Sequence, residues 1–121
     1  MTTRCVEVVA DASPTVDATI VRLGQADVVV AMRLHAAVMA TTLGVPTVAL
    51  SYAPKVASYM AQVGMGEFVT GSHSVRAPWI AERVASALDR SDLLRDRLVT
   101  ATDALAARYD ANRRWLRTLV R

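Results

Sequence analysis

The sequence predicts one α/β domain, an open parallel sheet with flanking helices and a helical carboxyl-terminal region. Three observations predict it. Short β-branched runs alternate with helical patterns through residues 1–71, glycine or proline punctuates nearly every alternation, and all five glycines fall before residue 72. A chain of 121 residues supports one core and not two. With 53% hydrophobic and 21% charged residues, it is not an intrinsically disordered segment.

The first predicted strand is Arg4 to Ala10, rich in valine. Asp11-Ala12-Ser13-Pro14 ends it, with Ser13 suited to an N-cap and Pro14 to the first helical position, where its missing N–H costs nothing. The following helix runs partly apolar, through Ala18, Ile20, Val21 and Leu23, until Gly24 closes it. Val28 to Ala31 is a second strand, apolar at every position and therefore expected to be covered on both faces. After Met32-Arg33-Leu34-His35, the alanine-rich segment Ala36 to Leu43 reads as a short packed helix closed by Gly44. Pro46 opens the third strand, Thr47 to Ser51, at the one place where a proline costs no ladder bond. Tyr52-Ala53-Pro54-Lys55 leads into a helix over Val56 to Val63, closed by Gly64, and Met65 to Val69 reads as a fourth, edge-like strand. Strand-to-helix passages of this length imply right-handed crossovers and about four parallel strands.

The architecture changes at residue 72. Ser72 to Arg76 is a polar loop, and Ala77 to Leu88 is a helix entered through Pro78. Ser91 to Leu119 is an extended helix whose apolar positions, from Leu94 and Leu98 through Ala101, Leu105 and Tyr109 to Trp115, form an imperfect stripe. Trp79 and Trp115 are expected as packing anchors. The chain thus divides into a body over 1–71 and a helical region over 72–121 within a single domain.

Several function classes are set aside by composition and motif. The formal net charge is +3, but residues 1–71 carry −1 and residues 72–121 carry +4, with arginine alternating among Asp and Glu on helices. That distribution describes a solvated or interface-facing surface better than a stripe tracking a nucleic-acid backbone. One cysteine, Cys5, permits no intrachain disulfide, and His73 has no second ligand at metal spacing. No signal-like leader and no membrane-length apolar run is present, so the cytoplasm is the expected location. Neither a G-x-G-x-x-G nor a P-loop occurs, and Ser51 lacks the flanking glycines of a nucleophile elbow.

Chemistry is expected at the carboxyl ends of the strands, where loops and helix N-termini converge. Arg33-Leu34-His35 follows the second strand and leads into a helix. Its guanidinium offers a fork matched to two oxygens of a phosphate or carboxylate, and its imidazole exchanges a proton near neutral pH. The same residues also suit a plain role, capping local carbonyls. Ser51-Tyr52-Ala53-Pro54-Lys55 holds the equivalent place after the third strand. Lys55 at a helix start is disfavoured by the helix dipole unless an anion lies nearby, although a simply solvated lysine is the competing reading.

Residues 26–56 resemble the carboxyl-terminal half of the polysaccharide pyruvyl transferase family. The marks are an acidic residue before an apolar strand, Arg33-Leu34-His35, a small-residue helix, Gly44-Val45-Pro46, and Tyr52 with Pro54-Lys55. A fainter similarity continues from Tyr59 to Val69. The resemblance implies one half of a two-domain, GT-B-like architecture of Rossmann-like domains. It implies transfer of a pyruvyl group from phosphoenolpyruvate to paired sugar hydroxyls, leaving a ketal on a cell-surface polysaccharide, with no metal or redox cofactor. Carried over, Arg33 and His35 would be catalytic, His35 as general acid or base, while Arg33, Ser51, Tyr52 and Lys55 would bind substrate. Ala53 departs from relatives that carry an acidic residue there.

The family's amino-terminal domain has no counterpart in this sequence, so the chain is expected to supply one wall of the cleft and to need a complement for activity. That complement, or a second copy of the chain, would meet the carboxyl-terminal helices. Two other functions remain open on the sequence: the nucleotide-sugar-binding half of a GT-B glycosyltransferase, and a noncatalytic assembly domain with Arg33 buried or blocked.

Overall fold

The computed structural model describes residues 16–119, and the strand expected over Arg4 to Ala10, with its Ser13-Pro14 helix start, lies outside them. The described residues form an α/β fold: helix α1 (Val16–Gly24), strand β1 (Val29–Ala31), helix α2 (Leu34–Thr42), strand β2 (Thr47–Ser51), helix α3 (Pro54–Gln62), strand β3 (Val69–Gly71), and helices α4 (Ala77–Asp89) and α5 (Ser91–Leu119). The three strands are parallel in the order β1-β2-β3, with Val29 in register with Thr47 and Ala49 with Val69.

β2 is the interior strand, and Thr47 to Leu50 are all buried, as a strand covered on both faces requires. β1 departs from that expectation. Val29 and Ala31 are buried, but Val30 between them is 46% exposed, so among the described residues one face of β1 is open. An unbroken apolar run fits a strand covered on both faces, but it does not require one.

The fourth expected strand is displaced. Residues Gly66–Phe68 form a 3-10 turn, closed by the Phe68 N–H donating to the Met65 carbonyl at 3.0 Å, and pairing with β2 begins only at Val69. That turn drops Met65 and Phe68 fully into the core, beside Val45, Val48, Met60, Val63, Leu94 and Leu98. Two glycines make the preceding reversals possible. Gly44 and Gly64 both hold φ +77°, the left-handed conformation that ends α2 and α3 and releases the chain into the next strand segment.

Helix α5 fixes the orientation of the whole body. The Arg95 guanidinium reaches the Ala26 carbonyl at 3.4 Å, Arg97 reaches the Gly64 carbonyl at 3.1 Å, and Val99 lies against the backbone at Gly44. All three targets are helix-to-strand turns, so α5 runs along the amino ends of the strands. Glu67 adds two ion pairs to this strap, at 3.1 Å from Arg90 and 3.9 Å from Arg97. Arg90 also stands over the Phe68 ring, 5.2 Å from its centroid. The opposite, carboxyl edge of the sheet carries none of these α5 contacts.

Trp79 packs against the core as expected, but Trp115 is 61% exposed. The stripe on α5 is buried at Leu94 and Leu98 and half-buried at Ala101 and Leu105, and the described side chains beyond that point are exposed. Helical spacing alone carries no information about where the opposing surface stops. Among the described residues no helix is long and apolar enough to cross a membrane.

Candidate functional site

The carboxyl edge brings together the starts of two neighbouring helices. β1 delivers the chain to Arg33, whose extended backbone (φ −111°, ψ 146°) makes it the N-cap of α2; its carbonyl accepts the Ala37 N–H at 3.1 Å. The helix therefore begins at Leu34, two residues earlier than the alanine run suggests, and His35 lies in its first turn. β2 delivers the chain to Ala53, the equally extended N-cap of α3 (φ −146°, ψ 150°), with Pro54 and Lys55 opening the helix.

Neither N-cap supplies a side-chain hydrogen bond, and neither helix has an acidic residue in its first turn. Both helix starts therefore direct N–H groups and positive dipole ends outward without a capping side chain, and each adds a cationic or protonatable residue at the same end. Arg33, His35, Tyr52 and Lys55 are all exposed. Ser51 is half-buried and committed to structure: its hydroxyl donates to the Ala53 carbonyl at 2.6 Å, and its own carbonyl accepts the Ser72 N–H at 2.8 Å. The Ser51 hydroxyl thus ties down the β2–α3 turn that presents Lys55. His73, on the loop after β3, is exposed as well.

Between α2 and α3 lies an open cavity of about 390 Å³. Leu34, Val38 and Pro54 give it apolar walls, while Lys55, Ser58 and Gln62 line it with polar groups one helical turn apart on α3. Tyr59 also lines the cavity, with its hydroxyl 2.6 Å from Thr41 Oγ1. Because Thr41 donates its own proton to the Ala37 carbonyl at 2.7 Å, Tyr59 must be the donor to Thr41. That relay explains a buried threonine in α2: its hydroxyl is satisfied on both sides while it pins the cavity wall.

Of the residues expected from the sequence, only Lys55 lines this cavity. Arg33 and His35 are the chain neighbours of its lining residue Leu34, and Ser51 and Tyr52 do not line it. Ser58 and Gln62 were not signalled, although Lys55, Ser58, Tyr59 and Gln62 recur at three-to-four spacing. What their spacing cannot supply is the opposing wall, which comes from α2. Among the described residues no group of three or more His, Cys, Asp or Glu side chains is placed to hold a metal ion.

Fold and site define a parallel-sheet α/β domain with a cationic carboxyl edge opening beside a small cavity. The family model for polysaccharide pyruvyl transferase matches residues 6–54, under half of the chain, and so makes this part similar to that family. The match takes in β1, α2 and β2 with Arg33, His35, Ser51 and Tyr52, and ends one residue before Lys55. No curated protein and no solved structure gives a significant match to the chain.

Proposed function

We propose that this domain binds phosphoenolpyruvate at its carboxyl edge and is the donor-side half of a pyruvyl transferase acting on a saccharide. One observation carries the reading: two adjacent uncapped helix starts, one bearing Arg33 and His35 and the other Lys55, within and just beyond the segment that matches the family. Two negative groups on one small donor, a phosphate and a carboxylate, suit two cationic helix starts side by side. In this reading Arg33 grips one anionic group as a fork and Lys55 neutralises the other.

The transfer adds one proton to the methylene carbon of the donor and forms two C–O bonds at its central carbon. The C–O bond to phosphate breaks. Of the two protons surrendered by the sugar hydroxyls, one balances the new methyl group and the other leaves with phosphate. His35 moves these protons, and Arg33 with Lys55 stabilises the departing phosphate. A complementary domain would bring the acceptor and exclude water from the open edge.

Calorimetric titration of phosphoenolpyruvate into the purified chain tests the reading. Saturable binding that is lost in Arg33→Ala and weakened in Lys55→Gln, but retained in His35→Ala, is the expected pattern. A folded chain that takes up no phosphoenolpyruvate, or does so equally well without Arg33, refutes the donor site.

A further inference from the structure

The turn that presents Lys55 is held by a side-chain clamp. Ser51 is the last residue of β2, in register with Gly71, and its carbonyl accepts the Ser72 N–H at 2.8 Å, so its backbone belongs to the sheet. Its half-buried hydroxyl donates to the Ala53 carbonyl at 2.6 Å. That carbonyl is the N-cap carbonyl of α3 and also accepts the Val56 N–H at 3.2 Å, a pair of bonds that its two lone pairs allow. One hydroxyl therefore joins the rigid end of the sheet to the first turn of the helix, across Tyr52 and Ala53, which belong to neither.

The direction of the bond decides what this serine can do. Its one proton is committed to the Ala53 carbonyl, and what remains on the oxygen is lone pairs, which repel an anion. The residue is thereby set apart from the substrate contact that the family resemblance implies for it. The β1–α2 passage offers a comparison. Ala31 holds the matching place, two residues before the N-cap Arg33, and it has no hydroxyl. The two cations account for the difference. Arginine carries a rigid planar fork to an anion, whereas lysine is a point charge on a flexible four-carbon stem. A lysine contributes more to a ligand when the backbone beneath it is fixed in advance.

We infer that Ser51 is a positioning residue: it touches no ligand, and by clamping the Ala53 carbonyl it fixes the start of α3 and so sets the anion affinity that Lys55 supplies. The inference rests on the phosphoenolpyruvate reading for its ligand and on the hydrogen bonds of the turn for its mechanism.

Calorimetric titration of phosphoenolpyruvate into the full chain, run as a cycle of Ser51→Ala and Lys55→Gln, tests this. Ser51→Ala is expected to weaken binding about fivefold, the factor that one net hydrogen bond is worth. Ser51→Thr keeps the hydroxyl and is expected to bind as the wild type does. In the Lys55→Gln background Ser51→Ala has little further effect, because the group being positioned is gone. Amide hydrogen exchange without ligand reads the clamp itself: in Ser51→Ala the Val56 amide exchanges faster, while the Ala37 amide at the start of α2 exchanges as before. Equal affinity in Ser51→Ala, an equal loss in Ser51→Thr, or a Val56 amide indifferent to the substitution overturns the inference and leaves the donor reading standing. So does an undiminished Ser51→Ala loss in the Lys55→Gln background, which would make the hydroxyl a direct contact. A wild-type chain that takes up no phosphoenolpyruvate refutes the donor reading and takes this inference with it.

Discussion

Replacing Thr41 by valine removes one oxygen and keeps the side-chain shape, which isolates the relay from Tyr59 through Thr41 to the Ala37 carbonyl. Thr41 is fully buried; its hydroxyl lies 2.6 Å from the Tyr59 hydroxyl and donates to the Ala37 carbonyl at 2.7 Å, with a longer contact to the Val38 carbonyl at 3.2 Å. The Ala37 carbonyl sits in the helix interior and loses only an additional partner. The Tyr59 hydroxyl loses the only acceptor it has among the described residues, in a half-buried position. A net hydrogen bond is worth about 1 kcal/mol, and leaving a donor partly buried without a partner adds about as much again. The greater apolarity of valine offsets a fraction, so Thr41→Val is expected to cost about 1–2 kcal/mol, roughly 4–10 °C in Tm for a domain of this size. Tyr59→Phe is expected to cost about 1 kcal/mol by removing the same bond from the other side. The double variant then loses the interaction only once. Chemical denaturation of all four proteins should give a coupling of about 1 kcal/mol, with the double variant less destabilised than the two singles predict. Additive costs, within about 0.3 kcal/mol, would show that the two hydroxyls do not act as a pair and that the cavity wall is held by packing alone.

Two further substitutions probe the frame. Gly64→Ala forces a side chain into a left-handed turn (φ +77°) and places its Cβ 2.9 Å from Arg97 Cδ, so the Arg97 strap must shift. A loss of about 1–2 kcal/mol, read as a lower urea midpoint at unchanged slope, is expected. Phe68→Ala empties the centre of the core beneath Arg90 and should cost about 3–5 kcal/mol. A loss under about 1 kcal/mol would mean that the 3-10 turn is not anchored by its aromatic ring.

What the sequence made legible follows from which constraints are local. Pro46, Gly44 and Gly64 mark reversals that depend on backbone conformation alone, and the strand Thr47 to Ser51 and the helix Ser91 to Leu119 have the expected bounds. The start of α2 is less legible because its N-cap is Arg33, a residue with no capping preference, so the alanine run puts the boundary two residues late, at Ala36. The 3-10 turn over Gly66–Phe68 was hidden because a short apolar run looks the same whether it pairs or coils. Tertiary burial of Phe68 decides between them. Val30 and Trp115 depart from expectation for a shared reason. Their apolarity suits burial, but the surface that would cover each is set by how far neighbouring elements extend, and no local pattern encodes that.

The cavity shows the same division within the site. Lys55 was identified by an electrostatic conflict that can be read from one residue and its place at a helix start. Ser58, Tyr59 and Gln62 acquire meaning only when α2 comes to face α3 and Thr41 receives the Tyr59 hydroxyl. The two ends of the sheet differ in how their charges are used. At the amino end, the arginines of α5 are spent on carbonyls and on Glu67, fixing the turns that set strand register. At the carboxyl end, the helix starts are left without capping side chains and without acidic residues, an arrangement that costs stability in the isolated domain and lowers the work of binding an anion. Installing an aspartate at Ala53, the N-cap of α3, should therefore stabilise the fold by about 1 kcal/mol while weakening any anion held beside Lys55. Thermal melts and phosphoenolpyruvate titration of Ala53→Asp would read the two effects separately. A stability gain without loss of anion binding would refute the view that this end is kept uncapped for a ligand.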